Sequence, residues 1–253
     1  MIWLAAAGGG SFVLVSLVLG LRLLALSRRT RQLPELTMGL CLLLMGGLGY
    51  PFAIVGRAVT ALPNDVRGLA LGSAALCNTI GFAALSIFTW RVFRPASIAA
   101  ELSATLAVVG LLVLLPAEAV WPGLIESALS AEPYPGLPGY LRVLMGLALL
   151  IWASLEAAVF ARKLRRRLVL GLADVVVADR VRLWTIAISG AALSTATSVV
   201  LSSQGIDLAS SSLGAGIIGV LGLVSAVCAW LAFLPPARYT RWVRERTHAG
   251  AAA

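Results

Sequence analysis

The stretch that decides the fold lies at residues 139–203 and reads GYLRVLMGLALLIWASLEAAVFARKLRRRLVLGLADVVVADRVRLWTIAISGAALSTATSVVLSS. Two apolar runs flank a basic block, and each has about 20 residues, enough to cross a hydrocarbon core of roughly 30 Å as a helix. The basic block, from Arg162 to Arg167, is followed by Gly171. The pattern predicts two membrane-spanning helices joined by a basic loop on one side of the membrane.

Composition extends this pattern to the whole chain. Of 253 residues, 60% are apolar and 12% are charged, whereas soluble domains have about 25% charged residues. The net charge of +9 lies in short clusters between apolar runs, which is typical of membrane topology and not of a nucleic-acid-binding face. The three cysteines fall within apolar runs, so we expect no disulfide framework and no metal site or cofactor.

The sequence predicts an all-α integral membrane protein, with residues 1–253 forming one seven-helix transmembrane domain. Nothing breaks span five before Gly171, and Asp174 or Asp179 is predicted to cap span six. Tyr50-Pro51 predicts a kink in span two, and we expect span four to stop at Pro116. The predicted spans are 2–26, 35–59, 67–91, 98–117, 139–162, 181–203 and 213–234, with a basic tail at 235–253.

The distribution of arginine and lysine predicts the orientation. Seventeen of the 20 basic residues fall on one side of the predicted spans, and only Arg57, Arg67 and Arg142 fall on the other. The positive-inside rule then places the N-terminus outside and the C-terminus in the cytoplasm. We therefore expect an uncleaved first span and a multi-pass protein of the plasma (inner) membrane of a bacterial cell, with its basic tail on anionic lipid headgroups of the cytoplasmic face.

Glu156 is the one acidic residue predicted to lie well inside a span. A carboxylate within the membrane often marks a proton, cation or ligand site. The alternative is structural, because Glu156 lies close enough to the inner interface to pair with an arginine. Trp152 and Phe160 lie one turn to either side on the same helical face, so an aromatic-walled cavity around Glu156 is a further expectation.

Four polar residues in other spans are further candidates for a cavity lining. Asn78 falls near the middle of span three, and Ser194, Thr197 and Ser198 share one face of span six. Such residues commonly form hydrogen bonds between helices. The alternative is that they line a ligand cavity among spans three, five and six.

Several enzyme and cofactor classes lack their residues in this sequence. His248 is the single histidine, so a histidine zinc or bis-histidine haem site has no ligands. The layout resembles seven-helix receptors and microbial rhodopsins in topology alone, but Lys163 is the only lysine and span seven has no Schiff-base lysine. Gly214-Ala-Gly216-Ile-Ile-Gly219 matches a dinucleotide motif inside an apolar span, where helix packing is the better interpretation.

These observations predict a non-enzymatic, receptor-like sensor or ligand-binding module that signals through a cytoplasmic protein partner. The long outer loop 117–138 favours it, as do the extended cytoplasmic ends of spans five and six, where we expect the partner to bind. One alternative is a small transporter or channel with Glu156 as its coupling or selectivity site. Another is a scaffold or accessory subunit of a larger membrane complex.

Overall fold

The computed structural model describes residues 2–59, 61–120, 136–205 and 212–251. The regular secondary structure in these ranges is helical. It comprises α1 (Ile2–Thr30), α2 (Leu33–Cys41), a π-helix (Leu42–Gly49), α3 (Tyr50–Ala58), α4 (Asn64–Phe93), α5 (Ile98–Val120), α6 (Gly136–Val169), α7 (Val175–Ser203), α8 (Ser212–Phe233) and α9 (Ala237–Ala251).

Seven helices in the described ranges are long and apolar enough to cross a membrane. They are α1, the continuous α2–π–α3 span, α4, α5, α6, α7 and α8. The predicted all-helical, multi-pass membrane architecture is therefore confirmed. We call the end of the bundle where α1, α4, α6 and α8 finish the basic end, because most arginines lie there, and we call the other end the opposite end.

The seven spans form a ring in which α4 and α6 also touch each other. In order around the ring, α1 packs on α8, α8 on α7, α7 on α6, α6 on α5, α5 on α4, and α4 on the α2–π–α3 span, which returns to α1. The core is rich in small residues, with Ala153, Ala157 and Leu111 almost fully enclosed. Small side chains allow helix backbones to approach closely where lipid supplies no hydrophobic drive between helices.

The second span contains a π-helix at Leu42–Gly49, a feature that the sequence prediction of a kink at Tyr50-Pro51 does not include. The Tyr50 N–H bonds to the Met45 carbonyl, five residues back. Pro51 follows and has no N–H to donate to the carbonyl four residues before it. The π register places this irregularity ahead of the proline, within protein-packed helix, where backbone groups stay satisfied.

The ends of α5 and α6 can be compared with the sequence predictions. Span four does not stop at Pro116: α5 continues through it to Val120, because a membrane helix near its end tolerates proline when neighbours compensate. The helix of span five runs past the predicted bound at 162 and ends at Val169, in agreement with the expectation that nothing breaks it before Gly171. Gly171 has φ +69°, and the Leu172 N–H donates to the Arg167 carbonyl at 2.8 Å, which closes α6 with a left-handed glycine cap.

The next helix, α7, begins with the predicted side-chain cap. Asp174 Oδ1 accepts hydrogen bonds from the N–H groups of Val176 at 2.7 Å and Val177 at 3.1 Å. The alternative cap, Asp179, instead lies inside α7 and accepts a hydrogen bond from the hydroxyl of Tyr239 in α9 at 2.5 Å. The basic tail is therefore helical over most of its length and packs on the start of α7.

Candidate functional site

Glu156 forms an ion pair at the basic end of the bundle. The Arg94 Nε donates to Glu156 Oε2 at 3.0 Å. Arg94 directly follows α4, whereas Glu156 lies within α6, so the pair connects two spans that touch inside the ring. The Glu156 side chain is 13% exposed and the Arg94 side chain 51%, which places the pair at the rim of the packed core. In the structure, Glu156 thus pairs with an arginine, as the structural alternative predicts.

A chain of edge-to-face aromatic contacts lies beside this ion pair. Phe93 contacts Phe160 at 5.7 Å between ring centroids, and Trp184 contacts Phe233 at 5.4 Å. Phe88 joins the two halves, at 6.0 Å from Phe93 and 6.5 Å from Trp184. We call these five residues the aromatic cluster. Each such contact contributes about 0.5–1.5 kcal/mol beyond area burial, so the cluster fastens α4, α6, α7 and α8 together at the basic end.

The two aromatic neighbours of Glu156 in sequence have separate surroundings. Phe160 belongs to the aromatic cluster. Trp152, one turn before Glu156 in α6, is half-buried and packs against the alanine-rich core. The predicted grouping of Trp152, Glu156 and Phe160 thus divides between a core contact, an ion pair and the aromatic cluster.

Asn78 lies against the π-helix in the middle of the bundle. A Cβ placed on Gly49 would lie 3.0 Å from Asn78 Oδ1, so glycine at that position permits the approach. The adjacent Thr79, which sequence analysis missed, is 1% exposed, and its hydroxyl has no hydrogen-bond partner among the described residues. Buried polar atoms are normally paired, so this hydroxyl is a position that water or a small polar ligand would satisfy.

The three candidate hydroxyl residues of α7, which are Ser194, Thr197 and Ser198, are half-buried. Two of them donate hydrogen bonds within their own helix. Thr197 donates to the Leu193 carbonyl at 2.8 Å, and Ser198 donates to the Ser194 carbonyl at 3.0 Å. Bonding to the carbonyl four residues back is the usual way to satisfy a hydroxyl in a membrane helix. In the part of the chain that the structure describes, no hydrogen bond joins Asn78, Ser194, Thr197 or Ser198 to Glu156.

A second interhelical ion pair, which sequence analysis missed, lies at the opposite end. Arg142 of α6 donates from Nε to Glu118 Oε2 at 2.6 Å and from Nη2 to Oε1 at 3.1 Å. The side chains are only 10% and 3% exposed, respectively. A helix end at Pro116 predicts that Glu118 lies in the outer loop. The sequence signal for the pair is Arg142, a charged residue just inside the next span, where a counter-ion is needed.

The hairpin between α6 and α7 carries exposed apolar side chains at its tip. Val169 is 83% exposed, Leu170 69% and Leu172 73%. We call these three residues the hairpin tip. They follow the basic block, whose Arg165, Arg166 and Arg167 are also exposed. Exposed apolar side chains therefore lie directly beside a cluster of positive charge at this end of the molecule.

Comparison with known proteins gives no relative: no family model matches the chain, and neither a curated protein nor a solved structure matches it significantly. Among the described residues, no cluster of three or more histidine, cysteine, aspartate or glutamate side chains is arranged to hold a metal ion. The described residues instead contain two interhelical ion pairs that are 14 residues apart on α6, and a basic hairpin with an apolar tip that follows α6.

Proposed function

We propose that this chain is a non-enzymatic, receptor-like sensor in which α6 transmits a change at the opposite end to a protein partner at the α6–α7 hairpin. One observation carries the proposal: α6 contributes a residue to each of the two described interhelical ion pairs, Arg142 with Glu118 and Glu156 with Arg94. The two pairs connect α6 to different helices, α5 at one end and the end of α4 at the other.

The separation between the two pairs suits α6 to act as a rigid lever. Arg142 and Glu156 are 14 residues apart in one continuous helix, which corresponds to about 21 Å. Between them, the buried face of α6 consists of Gly146, Leu149, Leu150 and Ala153. The two ion pairs add polar attachments to this packed face at two levels of the helix, one toward α5 and one toward the end of α4. The proposal requires each pair to open as well as to close, because a signalling element needs two arrangements.

The hairpin is suited to deliver this motion to a partner. Beyond Glu156, α6 continues for 13 residues to Val169, or about 20 Å. The glycine cap at Gly171 and the Asp174 cap make the turn short and well defined. A small rotation of α6 about its core contacts therefore displaces the hairpin tip by a larger distance.

The orientation follows from charge. With most of the 20 basic residues near the basic end, the positive-inside rule makes that end cytoplasmic, with the N-terminus outside and the C-terminus inside the plasma (inner) membrane. The hairpin tip then faces the cytoplasm, where a signalling partner is available, and α9 lies at the anionic inner leaflet. The opposite end, with Glu118 and Arg142, faces outward.

Among the alternatives, an accessory subunit is favoured by one specific observation. A Cβ on Gly10 or Gly72 would meet nothing within 4 Å among the described residues, so both glycines face outward, where a helix of another protein could approach closely. A transporter with Glu156 as its coupling site gains less support, because the carboxylate already has Arg94 as a fixed counter-ion.

The experiment measures the position of the hairpin when the basic-end ion pair is opened. Spin labels are placed at Leu33, which begins α2, and at Leu172 of the hairpin tip, in a chain whose three cysteines are replaced. Both positions are exposed. Glu156→Gln is expected to shift the distance distribution in lipid nanodiscs by several Å or to add a second population. Glu101→Gln, an exposed carboxylate in the first turn of α5, is the matched control. An unchanged distribution in Glu156→Gln would rule out the proposal.

A further inference from the structure

An open groove runs between α1 and α8 on the outer surface of the bundle. Its volume is about 310 Å³, and its walls include Ser11, Val15, Leu223, Val227, Trp230 and Leu231. Every wall residue named here except Ser11 is apolar. The outer surface of a membrane-spanning bundle faces lipid, so this groove opens toward hydrocarbon.

The register of the two helices shows what lies at the end of the groove. A Cβ on Gly8 would lie 2.0 Å from the Gly219 carbonyl oxygen, and one on Gly222 would lie 3.4 Å from the Gly8 oxygen. The two helices therefore run side by side with position 8 level with about position 220, and the same offset places position 22 level with the end of α8. Both helices finish at the basic end, so the groove points toward it.

Arg22 lies at this end of the groove, on the same face of α1. Ser11, Val15 and Arg22 are separated by four and seven residues, a spacing that aligns side chains along one face of a helix. Arg22 is exposed. It thus supplies a positive charge just beyond the apolar walls at Trp230 and Leu231.

The dimensions match one lipid leaflet. From Ser11 to Arg22 the axis of α1 rises about 16 Å, close to the roughly 15 Å that is half of a bilayer's hydrocarbon thickness. The lined part, from Leu223 to Leu231, is about 12 Å long. An extended hydrocarbon chain can therefore lie along the apolar walls, with the open side of the groove toward lipid.

We propose that this groove binds one acyl chain of an anionic phospholipid from the leaflet at the basic end, with the lipid phosphate held by Arg22. The two parts of the ligand match two features of the surface: the chain fills the apolar groove, and the phosphate meets the one arginine aligned with it. The site goes beyond the proposed sensor function and does not depend on it.

The test is native mass spectrometry of the full chain released from nanodiscs of phosphatidylglycerol or of phosphatidylcholine. The unmodified chain is expected to retain one phosphatidylglycerol and to lose phosphatidylcholine. Arg22→Gln should lower phosphatidylglycerol occupancy at least fivefold, whereas Arg28→Gln, another exposed arginine near the end of α1 on a different face, should leave it unchanged.

A second pair of variants tests the groove itself. Val227→Trp fills it and should also lower occupancy at least fivefold. Ile217→Trp, at an exposed position on α8 that lies ten residues before Val227 and outside the groove, should not. Equal retention of the two lipids, or an Arg22→Gln variant that binds as well as the unmodified chain, would overturn the proposal. So would a dimer that Val227→Trp disrupts, because a second copy would then occupy this surface.

Discussion

Arg142 of α6 donates two hydrogen bonds, of 2.6 and 3.1 Å, to the carboxylate of Glu118 near the end of α5, and both side chains are nearly buried. Charges inside a membrane protein are costly unless they are paired. This bidentate geometry satisfies both partners. It also explains why α5 continues past Pro116, because a helix that stopped at the proline would leave Glu118 outside the pair.

Removing one partner of this pair should destabilise the bundle strongly. Glu118→Gln leaves the Arg142 guanidinium enclosed without a counter-ion, and we expect a loss of about 3–5 kcal/mol in the free energy of unfolding. The measurement is a detergent-denaturant titration followed by circular dichroism. The control, Glu101→Gln on the same helix but exposed, should cost less than about 1 kcal/mol. If the two variants have the same free energy of unfolding, the pair does not stabilise the bundle.

The contact between α1 and α8 should be sensitive to a single methyl group. Gly8→Ala would place a carbon 2.0 Å from the Gly219 carbonyl oxygen, so the helices must separate. Overpacking of this kind costs about 1–3 kcal/mol. Gly10→Ala is the matched control, two residues away with open space around it. The same titration should show destabilisation by the first change alone; equal stability of the two variants would mean that the helices are not in this register.

The local signals and the long-range contacts differ in how well sequence analysis anticipates them. Gly171 and Asp174 mark helix ends through their own backbone and side-chain chemistry, so both were predictable from residues close in sequence. The pairing of Glu118 with Arg142 depends on how α5 and α6 face each other across 24 positions. Nothing local specifies that orientation, and Pro116, two residues before Glu118, predicts a helix end where the structure has a continuous helix.

In the candidate site, too, the sequence indicates local features better than contacts between helices. The depth of Glu156 in its span allows an arginine pair as one of two alternatives, and the choice of Arg94 depends on the packing of α4 on α6. The aromatic cluster brings together rings from four helices, and its members are ordinary apolar residues in sequence. The groove beside α8 is likewise a product of helix register, which hydrophobic periodicity does not specify.

The docking of α9 on α7 should be visible in the titration of one tyrosine. Partial burial, together with the hydrogen bond to Asp179, raises the pKa of Tyr239 from 10.0 to about 12. Because the pKa in the folded chain exceeds that of the unfolded chain, this contribution to stability is complete below about pH 10 and is lost as the pH rises toward 12. The difference in tyrosinate absorbance between the unmodified chain and Tyr239→Phe isolates this residue. A transition near pH 10 would show that the bond to Asp179 does not form.

The orientation predicts which ends of the bundle can be labelled from outside a cell. In a chain whose native cysteines are replaced, Asn64→Cys at the opposite end should react with a membrane-impermeant maleimide in intact cells. Arg238→Cys at the basic end should react only after the membrane is opened, because the positive-inside rule places it in the cytoplasm. Both positions are exposed, so accessibility of the side chain does not limit the reaction. The reverse pattern would place the hairpin tip outside.

In the proposed sensor, α6 couples the ion pair at Glu118 to the hairpin tip, so opening that pair should move the tip. Glu118→Gln opens the pair at the opposite end, about 21 Å along α6 from Glu156. The distance between spin labels at Leu33 and Leu172 is then measured in nanodiscs. If α6 acts as a lever, the distribution moves in the same direction as in Glu156→Gln. A hairpin that keeps its position while the pair at Arg142 is broken would contradict the account.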